Sequence, residues 1–472
     1  MKLPAMLTSL ILATGLLPAQ ERVLVGWASV DITPDRPVAL AGQMHTRISK
    51  SVHDPLTATA LALETPSDQA VMISVDFVGH GGILEPVRER VKTRLRDFDS
   101  GKLLLHGTHT HTAPETQEGT YVLPAEGVMP IAEYREFLIA RLADAAVRAW
   151  ENRKPGGVSW GLGFAEVARN RRAAYADGKT IMYGKTDRTD FSHIEGYEDH
   201  AVDLLYFWDG DKLTGVAINL SCPSQEVEGE YYVSADFWGA VRTELRKRHG
   251  PGLFVYPMTG ASGDQSPHLL FRQRAEETML RRRGLTRLQE IARRVANAVD
   301  DVIEPARRDI RTSLPFHHRV ETLRLPLRKI TEAEYEASRR EYERQLKLPE
   351  TDRTRGFHLR LRKRVLDNWE RQKHDPYYEI EAHVIRLGEV AIATNPFELY
   401  LDYGMRIEAR SKAEQTFIVQ LACGSGGYLP SARAIAGGSY GAGPENGPVG
   451  PEGGQVLVER TVELIGALFD QR

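Results

Sequence analysis

The sequence predicts an α/β protein in which layered, mixed β-sheets are flanked by helices. Two patterns alternate along the chain: short apolar runs such as 71–78 (VMISVDFV) and 102–106 (KLLLH), and longer helical segments such as 83–98 and 134–150. This alternation is typical of proteins whose helices cover their sheets. Hydrophobic residues make up 42% of the chain and charged residues 26%, which are the values of a folded globular protein and exclude a disordered one.

Further apolar runs predict strands in the second half of the chain, and one segment gives an especially clear helix. The predicted strands lie at 203–208, 215–220, 253–257, 384–394 and 417–422. Between 286 and 303 the apolar residues share one face of a helix, and Thr286 with Gln289 forms a capping box. This helix is therefore predicted with a defined start and a single apolar face.

Residues 1–20 have the pattern of a secretory signal peptide. A positively charged start precedes an apolar stretch at 7–17, which is too short to span a bilayer. The polar pair Glu21-Arg22 follows at once and argues against a buried N-terminal helix. No later run approaches the ~20 apolar residues of a membrane helix. The sequence thus predicts a secreted or periplasmic protein with no integral membrane segment in the mature chain, 21–472.

Charge is nearly balanced, with 61 Lys and Arg against 64 Asp and Glu and a net charge of -3. A nucleic-acid-binding protein would show a clustered basic excess, so that partner class is excluded. The segment 331–373 is charged and helix-favouring, and it predicts a helical hairpin on the surface, broken near Pro349. Both charge signs are interspersed in it, which disfavours a basic arm. The Gly- and Pro-rich segment 423–454 predicts an ordered loop.

The strongest chemical signal is the run Thr-His-Thr-His-Thr at 108–112, directly after the predicted strand KLLLH. Functional side chains are commonly placed at strand ends. In an extended segment, residues two apart point the same way, so His109 and His111 are expected to face one cavity. Neutral imidazole is a common zinc ligand, and a second histidine beside a metal can carry protons. The run therefore favours a metal centre over a pair of solvated or capping histidines.

Several other polar turns carry candidate site residues. They are Asn170-Arg171-Arg172, Gly263-Asp264-Gln265-Ser266-Pro267, Asn395-Pro396-Phe397-Glu398, Gly426-Gly427-Tyr428-Leu429-Pro430 and Gly438-Ser439-Tyr440. A buried Arg171 would bind an anion or polarise a carbonyl, and Glu398 would project a carboxylate from a strand end. Residues 437–441 also match the Gly-x-Ser-x-Gly pattern of serine hydrolases, which needs a strand before it and a helix after it. A Gly- and Pro-rich loop follows instead, so this alternative is disfavoured.

Taken in order, these segments resemble the neutral/alkaline (non-lysosomal) ceramidase family. The resemblance also includes 26–34 (GWASVDITP), 233–237 (VSADF), and two tyrosines, Tyr428 and Tyr440, twelve residues apart. The resembling elements span roughly 24–465. Members of this family are zinc amidases that hydrolyse the amide bond of ceramide. The resemblance implies their catalytic-domain fold and chemistry for this chain.

The resemblance also implies roles for particular residues. The implied zinc ligands are His109, Glu398 and Tyr428. The implied contacts to the reacting amide are made by His111, Arg171 and Tyr440. Ser266 falls on the serine of the family's Gly-Asp-x-Ser-Pro turn and is expected to be catalytic as well.

The family's second histidine ligand has no counterpart in this sequence. The corresponding segment, 219–225 (NLSCPSQ), contains no histidine, and Cys222 lies nearest the expected position. A thiolate is a strong zinc ligand, so Cys222 is predicted to bind the metal. The alternative for an exported protein is a disulfide between Cys222 and Cys423 beside a weakened metal site.

The expected function is zinc-dependent hydrolysis, outside the cytoplasm, of an amide bond in a small-molecule or lipid-like N-acyl substrate. Residues 21–472 are expected to form one ceramidase-like catalytic domain without the family's C-terminal immunoglobulin-like domain, with a charged helical insert at 331–373. The missing C-terminal domain and the charged insert are both departures from the family, and they make a substrate other than ceramide an open alternative. The alternatives are a zinc-dependent deacylase or esterase acting on a glycan or other non-ceramide substrate, and a non-catalytic binding protein with a degenerate site. No feature of the sequence specifies an oligomeric state.

Overall fold

Three mixed β-sheets meet at the centre of the protein, and helices cover their outer faces. The computed structural model describes residues 22–79 and 82–471. The predicted signal peptide at 1–20 therefore lies outside the described residues. None of the described helices is long and apolar enough to cross a membrane.

Between Leu24 and Phe469 β-strands are interspersed with α-helices. In the first part the strands are β1 (Leu24–Asp31), β2 (Ala39–Leu40), β3 (Arg47–Ile48), β4 (Ser51–Val52), β5 (Thr57–Glu64), β6 (Gln69–Val75), β7 (Leu103–Gly107), β8 (Lys154–Pro155), β9 (Gly157–Phe164), β10 (Arg169–Asn170), β11 (Arg172–Tyr175) and β12 (Thr180–Met182). In the second part they are β13 (Phe191–Ile194), β14 (Ala201–Asp209), β15 (Lys212–Leu220), β16 (Tyr232–Val233), β17 (Phe254–Thr259), β18 (Gln265–Ser266), β19 (Phe316–Pro326), β20 (Tyr377–Leu387), β21 (Val390–Thr394), β22 (Phe397–Leu399), β23 (Gln415–Val419) and β24 (Gly427–Leu429). The helices are α1 (Leu84–Arg94), α2 (Ile131–Glu151), α3 (Phe237–His249), α4 (Gln273–Arg283), α5 (Arg287–Arg307), α6 (Glu332–Leu346), α7 (Arg355–Arg371), α8 (Leu401–Arg410), α9 (Ala432–Gly437) and α10 (Pro451–Phe469).

Each of the three large sheets combines antiparallel strands with one parallel pair. Their strand orders are β7-β6-β5-β1-β8, β17-β15-β14-β9 and β19-β20-β21-β23. The parallel pairs are β6 with β7, β15 with β17, and β21 with β23. The predicted α/β class with layered mixed sheets is confirmed.

Helices cover one face of each sheet, and the other faces meet in a shared core. Helices α1 and α2 pack on the first sheet, α3 and α5 on the second, and α8 and α10 on the third. The shared core draws residues from all three sheets, among them Trp27, Leu205, Tyr256, Ile385 and Phe417. Burial of apolar surface on this scale is the dominant favourable contribution to folding.

The helix predicted at 286–303 is the long helix α5. Thr286 caps it, and the reciprocal hydrogen bonds of the capping box with Gln289 are both present. Its predicted apolar face is buried against the second sheet, as the 3.6-residue period requires. The sequence pattern therefore identified both the start and the buried face of this helix correctly.

Two sequence predictions differ from the structure in detail. The run 384–394 is not one strand, because Gly388 has φ 65° and turns the chain between β20 and β21. Glycine adopts this left-handed conformation without the steric cost that other residues bear. The segment 423–454 is ordered, as expected, but it contains strand β24 and helix α9.

The segment 331–373 forms two helices, α6 and α7, which we call the helical hairpin. Thr331 and Glu334 cap α6 reciprocally, and Tyr335 stacks on Trp369 of α7 with ring centroids 5.1 Å apart. The hairpin connects β19 to β20, which are antiparallel neighbours in the third sheet. One face of α7 turns inward and lines a cavity, so the hairpin does more than cover the surface.

Candidate active site

The two histidines of the Thr-His-Thr-His-Thr run face one cavity, which they line together. Their Nε2 atoms are 3.3 Å apart. The run is not an extension of β7, because His109 has φ 64° and the chain turns there. The His111 ring packs directly on the backbone of Gly42, whose φ is 90°. Any larger residue there would clash, because a Cβ on Gly42 would lie 2.3 Å from Cγ of His111.

The threonines of the run hold this turn in place through side-chain hydrogen bonds. The hydroxyls of Thr110 and Thr112 both donate to the carbonyl of Ser234, at 3.1 and 2.9 Å. The Thr108 hydroxyl donates to Asp76, whose carboxylate forms a bidentate ion pair with Arg242 at 2.7 and 3.0 Å. All of these side chains are buried. The alternating threonines therefore hold the histidines in place.

We predict that Asp76→Asn lowers the free energy of unfolding by about 3–5 kcal/mol, because it leaves the buried Arg242 guanidinium without its carboxylate. Chemical denaturation of both proteins measures this difference. The matched control is Asp190→Asn, which breaks a surface pair with Arg188 and is expected to cause no measurable change. Equal effects of the two substitutions would contradict the stabilising role of the buried Asp76–Arg242 pair.

Glu398 and Tyr428 come from two short parallel strands that bring them side by side. In the β22–β24 ladder they are direct register partners. Oε2 of Glu398 lies 3.5 Å from Nε2 of His109, and the Tyr428 hydroxyl hydrogen-bonds to the Glu398 carboxylate. Burial raises the pKa of Glu398 and raises that of Tyr428 well above its usual range. The pairing places a carboxylate and a phenol side by side at the cavity, with the carboxylate next to the His109 imidazole.

Arg171 is buried beside these groups and is held by four oxygen atoms. One terminal nitrogen donates to the Tyr183 hydroxyl and to Oε1 of Gln225, each at 3.0 Å. The other donates to the Gly263 carbonyl at 2.8 Å and to the Tyr428 hydroxyl at 3.3 Å. These partners fix the guanidinium at one edge of the site without neutralising its charge.

Ser266 and Tyr440 occupy different positions relative to the cavity. Tyr440 lines it, and its ring lies 5.5 Å from that of Tyr428. The Ser266 hydroxyl instead lies 3.1 Å from the hydroxyl of Tyr183, and therefore contacts the site through that residue.

The serine-hydrolase alternative depends on Ser439. This residue is preceded by helix α9, not by a strand, and its hydroxyl accepts a hydrogen bond from the Met182 amide. The local structure is thus not the strand–turn–helix that a serine nucleophile needs.

Cys222 does not reach the cavity, so its predicted role as a ligand is wrong in this structure. Its side chain is buried in the apolar core beneath the second sheet, packed with residues of β14, β15, α3 and α5. Burial raises the pKa of this thiol well above its usual range, which disfavours the thiolate that binds metal. The same segment instead sends Gln225 into the site, where its Nε2 lies 2.9 Å from Nε2 of His111.

We predict that Cys222→Ala leaves any bound metal in place and lowers the free energy of unfolding by about 1 kcal/mol, the cost of a small cavity. Elemental analysis and thermal unfolding of the variant measure the two quantities. Loss of metal from a folded variant would restore Cys222 as a ligand.

Cys423 belongs to a separate group, and the alternative of a disulfide with Cys222 is also wrong, because both thiols are free. Among the described residues, Glu381, His383 and Cys423 have the mutual spacing of a metal site. Arg88, however, donates to both oxygens of Glu381, at 2.6 and 3.0 Å, and would repel a cation. Burial raises the pKa of Cys423 to about 12. This group is therefore better described as a buried ion-pair network than as a metal site.

Glu228 is a site residue that sequence reasoning missed. Its Oε2 lies 3.1 Å from Nδ1 of His111, and its Oε1 lies 3.5 Å from Nδ1 of His268. Burial alone would raise the pKa of Glu228, but the hydrogen bond and charge of His111, with the charge of His268, lower it to about 2. Asp236 fixes this turn by accepting the Val227 amide at 2.8 Å.

The His109 ring presents an unprotonated nitrogen to the cavity. Its Nδ1 lies 3.2 Å from the carbonyl of Val78, which can only accept, so this nitrogen carries the proton in the neutral ring. Burial lowers the pKa of His109 well below its usual range and keeps the ring neutral. The lone pair of Nε2 therefore points toward Glu398, which is the orientation of a metal-binding histidine with its second nitrogen anchored.

No protein-family model and no curated protein sequence matches this chain. Its architecture of three mixed sheets under helices does match solved structures. A ceramidase complexed with C2 superposes with a TM-score of 0.69 at 14% identity, over 96% of this chain and 76% of that one. Neutral ceramidase from Pseudomonas aeruginosa gives a TM-score of 0.69 at 16% identity, over 95% and 75%. The protein has the neutral ceramidase fold, as the sequence motifs implied.

Proposed function

We propose that this protein is a zinc-dependent hydrolase of an amide bond in an N-acyl substrate. The observation that carries the proposal is the convergence of His109, His111, Glu398, Tyr428 and Tyr440 on one cavity, with Arg171 at its edge. The ceramidase fold supports the same reaction class. Export, secreted or periplasmic, is a further proposal that depends on the pattern at 1–20.

His109, Glu398 and Tyr428 would hold the metal. Three protein ligands with one position left for water are the usual arrangement of catalytic zinc. Gln225 is not a fourth ligand, because its oxygen accepts from Arg171 and its amide nitrogen faces His111. Zinc, when bound, supplies water with a pKa near 7 and polarises a carbonyl oxygen.

His111 is the residue suited to move protons. Its ring lines the cavity, with Nε2 beside Nε2 of His109 and the Gln225 amide. Its Nδ1 lies beside the Glu228 carboxylate, which stabilises the charged ring once a proton has been accepted. His111 would accept the proton of the attacking water at Nε2 and return it to the leaving amine. Glu228 orients the ring for both transfers.

Arg171 and Tyr440 are suited to stabilise the oxygen of the amide carbonyl as it gains negative charge. Arg171 is fixed by its four oxygen partners, so it needs no rearrangement during the reaction. Tyr440, in the loop after helix α9, contributes a hydroxyl donor from beside Tyr428. Fixed donors of this kind supply a large part of the rate enhancement in acyl-transfer enzymes.

The test is hydrolysis by the purified protein of matched substrates: ceramide, an N-acyl amino acid, an N-acylethanolamine, an acetylated sugar and a simple ester. Cleavage of amides that a chelator abolishes and zinc restores supports the proposal. Cleavage of only the sugar or the ester would favour the deacylase or esterase alternative. Binding without cleavage of any compound would favour the non-catalytic alternative, which the glutamine at position 225 makes worth testing.

A further inference from the structure

We propose that helix α7 supplies an anion-binding subsite to the cavity and that the amide substrate carries a carboxylate, as an N-acyl amino acid does. This inference rests on the proposed hydrolase function and adds the substrate class. Arg360 and Arg364 lie one helical turn apart on α7 and line the same cavity as His109 and Glu398. A sphingoid base offers no anion to such a pair.

Arg364 faces the cavity without a carboxylate partner. One terminal nitrogen donates to the backbone carbonyls of Glu445 and Asn446, at 3.1 and 2.8 Å. No carboxylate of the described residues lies within 4.0 Å of its guanidinium. Backbone carbonyls orient the guanidinium but leave its full positive charge directed at the cavity.

Arg360 also lines the cavity without forming an ion pair with a described carboxylate. Its only side-chain acceptor among the described residues is Oε1 of Gln117, at 2.6 Å, and its Nε is buried without a hydrogen-bond partner. The nearby Glu115 also lines the cavity, and its carboxylate interacts electrostatically with Arg360 but forms no ion pair with it within 4.0 Å. One of its oxygens accepts two backbone amides of the following turn, at 2.8 and 2.9 Å. The Arg360 guanidinium thus retains donors for a ligand.

Several other cations of the helical hairpin, none of which lines this cavity, are paired with acidic side chains. These are Arg339, Arg344, Arg362, Lys363 and Arg371. Charged side chains removed from water are normally paired. Two arginines that form no close ion pair with a described carboxylate and share a cavity with candidate catalytic groups therefore point to a bound anion.

The position of α7 against the rest of the protein is closely fixed. A Cβ on Gly356 would lie 2.7 Å from the carbonyl oxygen of Thr120, so the start of the helix packs directly on that loop. The guanidinium groups are consequently held at one wall of the cavity. Guanidinium binds carboxylate through two parallel hydrogen bonds, which an ammonium or hydroxyl cannot reproduce.

The test compares N-lauroylglycine with N-lauroylethanolamine, which differ at the carboxylate. The wild-type protein is expected to prefer the glycine compound at least ~10-fold in kcat/KM, mainly through KM, since charge-assisted hydrogen bonds are the strong ones. The preference should disappear in Arg360→Gln/Arg364→Gln and persist in Lys363→Gln, a control on the same helix that is exposed and paired with Asp367. If the double variant does not fold, Arg360→Gln alone should reduce the preference several-fold.

The outcomes separate this inference from the proposed function. Equal hydrolysis of both compounds, or a preference unchanged in the arginine variants, would overturn the anion subsite and leave the hydrolase intact. If neither compound is hydrolysed but ceramide is, the hydrolase proposal stands, and if no amide is hydrolysed it fails. In both cases calorimetric binding of the same two compounds decides the subsite. Tighter binding of the glycine compound that Arg360→Gln removes would support it, whereas equal or absent binding would overturn it.

Discussion

Replacing His109 with alanine is expected to remove the bound metal and to lower kcat/KM for amide hydrolysis by about 1,000-fold or more, because the metal activates the attacking water. Glu398→Gln should have the same two effects, since it removes the charge of the second ligand. Elemental analysis measures the metal and steady-state kinetics measures the activity. Both variants should remain folded, because both side chains line the cavity, where a smaller or uncharged side chain can be accommodated.

The control for this pair is His193→Ala, which changes an exposed histidine on β13 and should alter neither quantity. A His109→Ala protein that keeps both zinc and activity would contradict the assignment of the metal centre. Retention of metal with loss of activity would assign His109 to the chemistry and not to the metal.

Tyr440→Phe is expected to lower kcat by ~100- to 1,000-fold while leaving the metal content unchanged, because it removes a donor to the developing oxyanion and no ligand. Its effect on KM should be small, since the lost hydrogen bond strengthens mainly in the transition state. Tyr377→Phe, on an exposed tyrosine of β20, serves as the matched control and should match the wild type. Loss of metal from Tyr440→Phe, or full activity in it, would contradict the role.

Much of the fold was predictable because it depends on local patterns. The apolar period of α5, its capping box and the short apolar runs of the central strands each specify a buried face. The turn at Gly388 was missed because an apolar run on both sides of one glycine does not reveal a reversal. The structure shows that reversal as a tight connection between two antiparallel neighbours.

Some residues of the candidate site were predictable from the sequence, and others were not. His109 follows strand β7 and Glu398 comes soon after strand β21, as the general placement of sites at strand ends predicts. Tyr428 lies within strand β24 beside Glu398, and its place in the site was implied only by the family resemblance. The choice of Cys222 failed because the direction of a side chain in the irregular segment after β15 depends on tertiary packing. Residues 224 and 225 pass the cavity, while the cysteine turns into the core.

For the helical hairpin, too, the helices were predictable from the sequence, but the direction of their side chains was not. Its composition predicted two charged helices, and the structure contains them. Which arginines face water and which face the cavity depends on how α7 docks against the loop at Gly119 and Thr120. The pair Arg360 and Arg364 is therefore visible only in three dimensions.

The most direct test of the central claim is the zinc content of the purified mature protein, measured by elemental analysis without added metal and repeated after chelation. We expect about one zinc per chain, and we expect the chelator to remove it together with amide hydrolysis and added zinc to restore both. Amide hydrolysis that continues in protein shown to contain no metal would contradict it.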